Sequence, residues 1–429
     1  MIMKKLIILF LCLVIAPLCV TAQITIEQCV EKAMENYPEI RKYDLVSMTR
    51  EIDLSDIDKG WLPRISAYGQ ATVQNAVPSF PESLSGVLQQ MGQSMKGLDK
   101  LQYKIGVDIS QTIWDGGLSR ARRDVSRLTS ETQRKSIGVE LYAVRQRVEN
   151  LYFAILLTEE QIAQTGNALA LVKGNLEKLR SMLRNGTAMQ CDVDMVAAQA
   201  LTMEQDITRA RSAVRGYRQV LEIFIGESLS DRALVMPDAL MPSDMRPARP
   251  ELSLFENRIA AAQASRRLSD VSLMPKVGFF AQTWYGYPGL DYFKSMMNRN
   301  LSFNIMAGVK VTWNIDAFYT KKNTARRTAV DTGNVMAEKE TFLFNTGMQS
   351  VSQQEKISGL RSVMADDAKI IELRTNVRKA AESQLENGVI DATALLTKIT
   401  DENQAKLTAR FHEIQLIQEI YNLKYILNR

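Results

Sequence analysis

The residues that could do chemistry are few and scattered along this chain. The only histidine, His412, follows Phe411 in a stretch with helical spacing, where a packing or surface role is more common than catalysis. Asp192 and Asp194 follow a helix break, where acidic residues favour the positive end of the helix dipole; a metal site is the alternative. The glycine pairs stand outside any phosphate-loop pattern. The sequence therefore predicts no enzyme, no cofactor and no metal site.

The longest helical stretch runs from Leu118 to Asn185 and contains no proline. Along its second half an apolar residue returns at every seventh position: Leu141, Val148, Ile155, Ile162, Leu169, Leu176 and Leu183. This heptad repeat predicts the seam of a coiled coil, in a helix about 100 Å long. An ordinary helical bundle is the alternative, but a helix of this length does not fit a compact domain.

A tight turn is predicted at Asn185, Gly186 and Thr187, because asparagine and glycine tolerate the left-handed backbone of a sharp helix end. The chain then returns with helical spacing through Val193, Val196, Ala200, Met203, Ile207, Ala210, Val214, Tyr217, Leu221 and Phe224. The stretch 118–226 is therefore predicted to be an antiparallel helical hairpin.

Two predicted strands precede this hairpin, at about 64–77 and 101–113, and both alternate apolar with polar residues. Asp115, Gly116 and Gly117 turn the second strand into the long helix. A connector with several prolines, 227–249, ends the first repeat (23–226), and the pattern then returns in a second repeat, 250–429. Its predicted strands are about 276–285 and 301–315, its hairpin is 319–429, and Asn387, Gly388 and Val389 form the matching turn.

The start of the chain has the features of a secretory signal peptide, 1–22: two lysines, an apolar run and small residues before Gln23. Lipidation of Cys19 is an alternative that its neighbour Leu18 disfavours. Of the remaining cysteines, Cys29 and Cys191 are predicted to lie too far apart for a disulfide. The net charge of +5 is too small to indicate nucleic acid.

The strands have the length and the single apolar face of transmembrane β-strands, and aromatic residues flank them. A half-buried soluble sheet would show similar alternation. Four strands cannot close a barrel, and lipid does not tolerate open strand edges, so the barrel must be built from several chains. The residues predicted to face lipid are Tyr103, Ile105, Val107, Ile109, Phe303, Ile305, Val309 and Val311, and those predicted to face the lumen are Lys104, Asp108, Asn304 and Lys310.

This architecture resembles the TolC-like outer membrane efflux family over essentially the whole mature chain. The residues that carry the resemblance are the repeated Leu62-Pro63 and Met274-Pro275 strand starts, the Asp115-Gly116-Gly117 strand end and the paired turns. The resemblance implies a mostly α fold with transmembrane β: a homotrimer whose chains each give four strands to one β-barrel in the outer membrane lipid. The long coiled-coil helices would form a periplasmic α-barrel.

The resemblance also implies a function, that of the outer membrane channel of a tripartite efflux or type I secretion system. A periplasmic adaptor protein would dock at the two turns, and an inner-membrane transporter would supply the substrate. The sequence departs from the family at the second strand end, which lacks the glycine pair, and at Lys379, where the best-known member has an aspartate at its aperture. Nearby Glu177, Glu382 and Glu386 are expected to be solvated. A trimeric surface stalk or adhesin is the alternative.

Overall fold

The computed structural model describes residues 23–92, 97–229, 232–238 and 240–429. The predicted signal peptide, with Cys19, lies outside these residues. The α-helices are α1 (Ile26–Asn36), α2 (Lys42–Lys59), α3 (Glu82–Gln90), α4 (Leu118–Arg184), α5 (Gln190–Ile225), α6 (Pro250–Ser272), α7 (Tyr292–Met297), α8 (Phe318–Glu386) and α9 (Ala392–Leu427). The β-strands are β1 (Arg64–Val73), β2 (Leu101–Trp114), β3 (Lys276–Tyr287) and β4 (Ser302–Thr312).

The chain divides into two compact units, each built from both predicted repeats. The helical unit comprises the described part of Met1–Tyr43, with Lys135–Leu254 and Glu338–Arg429. The sheet unit comprises Asp44–Arg134 and Phe255–Ala337. In the part of the chain that the structure covers, no helix has both the length and the apolar composition needed to cross a bilayer.

Two long helices lie in each stretch that was predicted to be a helical hairpin. Helix α4 has 67 residues and α5 has 36, and the second pair repeats these lengths with 69 in α8 and 36 in α9. The apolar repeat of α4 forms a buried seam at Leu141, Val148, Ile155 and Leu176. On α5 the predicted seam is buried except at Tyr217 and Phe224. Helical spacing therefore identified the packed faces, because these helices bury narrow stripes and not whole surfaces.

The four strands form one antiparallel sheet in the order β1-β2-β3-β4. Ile65 pairs with Ile109, Ile109 with Ala281, and Ala281 with Ala307, so a single row crosses the whole sheet. Because side chains alternate between faces along a strand, this row places the apolar positions of all strands on one face. The neighbouring row across the sheet has its side chains on the opposite face and contains Ser66, Asp108, Gln282 and Met306.

The strand bounds differ from the predicted ones at several ends. β1 stops at Val73 and not at residue 77, and β4 stops at Thr312 and not at residue 315, whereas β3 continues to Tyr287. Trp284, within this strand, pairs with Gly106 of β2. The short helices α3 and α7 were not predicted, because they lie in segments whose prolines, serines and glycines indicate loops.

The main core of the helical unit joins the first described residues to the connector. Ile24 forms a parallel bridge with Leu234, and its amide donates to the Ala233 carbonyl at 3.1 Å. The hydroxyl of Tyr152, a fully buried residue of α4, donates to Val235 at 2.6 Å and lies 2.9 Å from the Ile24 carbonyl oxygen. A tyrosine in the helix seam thus donates to the connector, and its hydroxyl also contacts the amino-terminal segment.

Candidate functional site: helix tips, strand turns and the sheet

The first predicted turn closes by two backbone hydrogen bonds. The amide of Thr187 donates to the Met182 carbonyl at 2.9 Å, and that of Gly186 donates to Leu183 at 3.0 Å. This pair of bonds is the Schellman motif, and its left-handed residue is Gly186, with φ +75°. Asn185 takes an ordinary negative φ, so the glycine alone supplies the left-handed conformation that was predicted for both residues.

The second turn repeats this geometry at the corresponding positions. Val389 donates to the Gln384 carbonyl at 2.8 Å, Gly388 donates to Leu385 at 3.0 Å, and Gly388 has φ +70°. The amide side chain of Asn387 donates to the Ser383 carbonyl at 2.8 Å. The same carbonyl also accepts from the backbone amide of Asn387 at 3.1 Å, so the asparagine side chain adds a second hydrogen bond to the last helical turn.

The two turns belong to one packed cluster within the helical unit. The ammonium of Lys178 on α4 pairs with Glu386 on α8 at 2.8 Å, and this hydrogen bond raises the pKa of Lys178. Apolar residues of all four long helices pack beneath the pair, among them Leu179, Val196, Leu385 and Leu395. The tips thus form a joint surface of both hairpins.

The flanks of the turns differ in exposure. Met189 and Val389 are 70% and 69% exposed, whereas Ile390 packs against the apolar cluster. Exposed apolar flanks would suit the docking predicted at the turns, whereas buried flanks would form a small local core. Ile390 follows the core interpretation. Met189 and Val389 remain available as exposed apolar groups, and their docking role stays a prediction.

The acids near the tips are paired with basic groups. Glu177 accepts from Arg180 at 2.6 Å, and Glu382 pairs with Arg378 at 2.6 Å. Sequence reasoning missed Glu402, which is only 2% exposed and pairs with Arg378 and, at 2.8 Å, with Lys406.

The position of Glu402 in the sequence indicates that its side chain is buried. It follows Leu395 and Ile399 at the three- and four-residue steps of the buried seam. Burial alone would raise the pKa of Glu402, but hydrogen bonds from Lys406 and Thr375 and the charges of Lys406 and Arg378 outweigh burial and lower it.

The turn from β2 into α4 is held by the carboxylate of Asp115. It accepts from the amide of Gly117 at 2.8 Å and from that of Ser119 at 2.6 Å, so it satisfies free donors of the helix start. Burial alone would raise the pKa of Asp115, but the hydrogen bonds from Ser119, Gly117 and Leu118 outweigh it and lower the pKa.

The two glycines of this turn have positive φ, +71° at Gly116 and +91° at Gly117. A Cβ at Gly116 would lie 2.6 Å from the Cβ of Met274 and 3.3 Å from the Pro275 carbonyl oxygen. The glycine turn of the first repeat therefore packs directly on the strand start of the second repeat. At the second strand end Asp316 is exposed, and among the described residues its side chain has no hydrogen-bond partner.

The apolar face of the sheet is largely exposed in the single chain. Ile105, Phe303, Ile305 and Val309 are 66%, 67%, 61% and 65% exposed. A continuous apolar face of this extent is unusual for a soluble monomer and indicates a surface that contacts lipid or another protein.

The polar face carries a cation between two aromatic rings. The ammonium of Lys104 lies 5.6 Å from the ring centroid of Tyr68 and 5.7 Å from that of Trp284. Between these rings lies Gly106, where a Cβ would come within 2.9 Å of the Trp284 Cβ and 3.0 Å of the Tyr68 ring. The absence of a side chain at Gly106 is therefore what allows both rings to lie over the strand.

The residues considered for chemistry have structural partners. His412 on α9 lies 2.8 Å from Asp367 on α8, and Asp192 accepts from the amide of Met189 at 3.1 Å as a helix cap. Cys29 is buried and Cys191 exposed, and both are free thiols. In the described ranges no group of histidine, cysteine and acidic residues could hold a metal ion.

Comparison with known proteins identifies the fold. No family profile matches the sequence, and no curated protein matches it. Among solved structures, the outer-membrane channel OprN superposes with a TM-score of 0.67 at 14% identity, covering 94% of this chain and 89% of OprN. The outer membrane protein VceC from Vibrio cholerae gives 0.64 at 12% identity, covering 94% of each chain. The open MtrE outer membrane channel of Neisseria gonorrhoeae gives 0.63 at 13%, covering 94% and 88%.

At these identities the likeness establishes the fold. The chain has the TolC-like fold of outer membrane channels, mostly helical with a four-stranded antiparallel sheet. The resemblance inferred from the strand starts, the glycine turns and their repetition is confirmed at the level of the fold. The partners and the cargo of those solved channels are not transferred with it.

Proposed function

We propose that this chain is one protomer of a passive export duct in the outer membrane of a Gram-negative bacterium. The observation that carries the proposal is the sheet: its apolar face spans all four strands, and β1 and β4 each keep one unpaired edge. Lipid accepts strands only in a closed barrel, since an unpaired backbone group in hydrocarbon costs several kcal/mol. The likeness to solved outer membrane channels supports the same function.

Several copies are needed to close such a barrel. Three chains with four strands each would contribute twelve strands, an even number within the range of outer membrane barrels. We therefore infer a homotrimer, in which β1 of one chain pairs with β4 of the next. The exposed apolar side chains of α8, such as Phe344 and Val351, would be covered by neighbouring chains in the same assembly.

The helical hairpins are assigned to the periplasm. Their tips combine fixed turns with exposed Met189 and Val389, which suits docking of a periplasmic adaptor protein. An inner-membrane transporter would deliver the cargo of this efflux or type I secretion system through the adaptor. The duct itself would be passive.

Conductance tests this proposal. Purified protein added to a planar lipid bilayer should produce discrete single-channel currents, and cell fractionation should place it in the outer membrane. A trimeric surface stalk would fractionate with the same membrane but would give no currents. Protein that reaches the outer membrane and inserts without conducting would contradict the proposal.

A further inference from the structure

The segment that joins β3 to β4, residues 288–301, is fixed to the sheet by one side chain. The amide of Leu290 donates to the side-chain oxygen of Asn304 at 2.7 Å, and the Asn304 side-chain nitrogen donates to the Ser302 carbonyl at 2.9 Å. Asn304 is 7% exposed, although Phe303 and Ile305 beside it are 67% and 61% exposed. The segment therefore covers Asn304 specifically.

The position of Asn304 decides which face the segment covers. Asn304 pairs with Trp284, and Trp284 pairs with Gly106 of β2, so all three lie on the polar face. A Cβ at Gly289 would lie 2.9 Å from the Asn304 side-chain oxygen and 3.3 Å from the Cβ of Ser302. The segment thus packs with its backbone on the polar face, and glycine is what permits this distance.

The segment has its own internal order. The carboxylate of Asp291 caps α7 by accepting from the amide of Lys294 at 2.9 Å. The hydroxyl of Ser295, which is 5% exposed, accepts from the amide of Gly289 at 3.1 Å and donates to the Asp291 carbonyl at 2.8 Å. The Phe293 ring lies 6.0 Å from that of Phe80. Short helix, cap and ring contact make the segment a folded element.

We propose that residues 288–301 form an inward-folded constriction that limits the size of solute passing through the mouth of the duct. This inference rests on the proposed function, because the polar face is the lumen wall only in a closed barrel. The segment lies at the end of the sheet away from the strand-to-helix turns, so in a duct with periplasmic helices it narrows the outer mouth. Asn304 is the residue that holds the segment inward.

The first test removes the anchor. N304A deletes the acceptor for the Leu290 amide and keeps the strand. In planar bilayers, we compare the time that a channel spends at high conductance with the time that it spends at low conductance. This ratio should rise about fivefold in N304A, because the loss of one hydrogen bond changes an equilibrium by about this factor. Gln282 lies on the same face, outside the segment's contacts, so Q282A serves as the matched control and should keep the wild-type ratio.

The second test locks the segment. In a C191S background, a G289C/S302C pair would place its Cβ atoms 3.3 Å apart, slightly below the usual disulfide distance, and the Cβ at residue 289 shifts the segment slightly in the oxidised and reduced states alike. Channels with the oxidised pair should stay at the low conductance level. They should also exclude large polyethylene glycols that the reduced channels admit. Because one sample gives both states, this comparison holds even if N304A folds poorly.

The outcomes separate the two proposals. Wild-type protein that never conducts contradicts the proposed function. Wild-type channels that conduct, with N304A and the oxidised pair unchanged in dwell times and in polymer exclusion, overturn the constriction alone. A fivefold rise in N304A, together with exclusion of large polymers by the oxidised pair but not by the reduced pair, would support it.

Discussion

Asp115 shows how much one side chain does at a strand end. Its carboxylate accepts hydrogen bonds from two backbone amides at the start of α4. Asp316, at the matching position of the second repeat, is exposed, and its side chain caps no helix in the described structure. The strand-to-helix turn is therefore stabilised by different contacts in the two repeats. The first uses a carboxylate and two glycines of positive φ, and the second uses the aromatic contact of Trp313 with Phe318.

Replacement of Asp115 by alanine should destabilise the protein by about 1–2 kcal/mol, the usual value for losing a helix-start cap with charged hydrogen bonds. Thermal unfolding followed by circular dichroism would measure the loss. D316A, the matched control, should unfold at the wild-type temperature. Equal melting shifts in the two variants would contradict the capping role.

The same carboxylate predicts a pH dependence. Because folding lowers the pKa of Asp115 from an ordinary value of 3.8, its stabilisation is complete above that value and is lost as the pH falls through the lower folded pKa. The stability difference between wild type and D115A should therefore shrink in strongly acidic solution. A difference that grows on acidification would reverse the assignment.

The tip glycines carry the next prediction. Valine at Gly186 or Gly388 should strain the turn by about 1–2 kcal/mol, because a residue with a Cβ disfavours the left-handed region. Trimers should persist, since seams and strands supply most of the stability, whereas export and adaptor crosslinking should both fall.

Gly174 on α4, where an added Cβ meets open space and φ is negative, is the control for this test. G174A should be neutral or stabilising. If the tip variants exported normally, and crosslinkers at Met189 and Val389 never captured an adaptor, the tips would not be the docking site.

At the scale of elements, the sheet is defined by its two faces. One row of the apolar face contains Ile65, Ile109, Ala281 and Ala307, and the polar face gathers Lys104, Tyr68 and Trp284. A barrel in lipid requires the first face outward, because a charge on the lipid side costs about 2–4 kcal/mol at mid-membrane. The faces therefore predict the orientation of every strand.

Cysteine labelling tests this orientation. A membrane-impermeant reagent should modify cysteines placed at Lys104, Asp108 and Lys310 and spare those placed at Ile105, Ile305 and Val309. Asn304 was predicted to behave like the lysines, but the β3–β4 segment buries it, so a cysteine there should react slowly. Preferential labelling of cysteines at Ile105, Ile305 and Val309 would show that the apolar face lines the lumen.

The sequence predicted repeated patterns well and single contacts poorly. The heptads of α4 and the alternation of β2 recur over many residues, so a local irregularity does not hide them. Tyr152 acts through Val235, and Glu402 pairs with Arg378 on another helix, and no local spacing reveals such a partner. The tip glycines were found because a helix end requires them locally.

At the scale of the whole molecule, the sheet edges determine assembly. Within one chain β2 and β3 separate β1 from β4, so Ala67 and Ala307 cannot approach each other. Cysteines at Ala67 and at Ala307, Ile305 or Val309 in turn, in a C191S background, should form disulfides only between chains. At least one pair should give covalent trimers on a denaturing gel. A well-folded monomer in mild detergent would contradict the assembly.

The clamp that Tyr152 forms between Ile24 and Val235 also has a consequence for how the chain folds. The bridge between Ile24 and Leu234, and the hydrogen bond from Ile24 to the Ala233 carbonyl, can form only after synthesis has passed residue 234, more than two hundred residues later. Closing a loop of that length costs chain entropy and slows the search for the contact. The backbone of the amino-terminal segment around Ile24 therefore lacks this pairing until the entire first hairpin has been synthesised. We expect this segment to be a binding site for a chaperone that keeps the chain unfolded during transit.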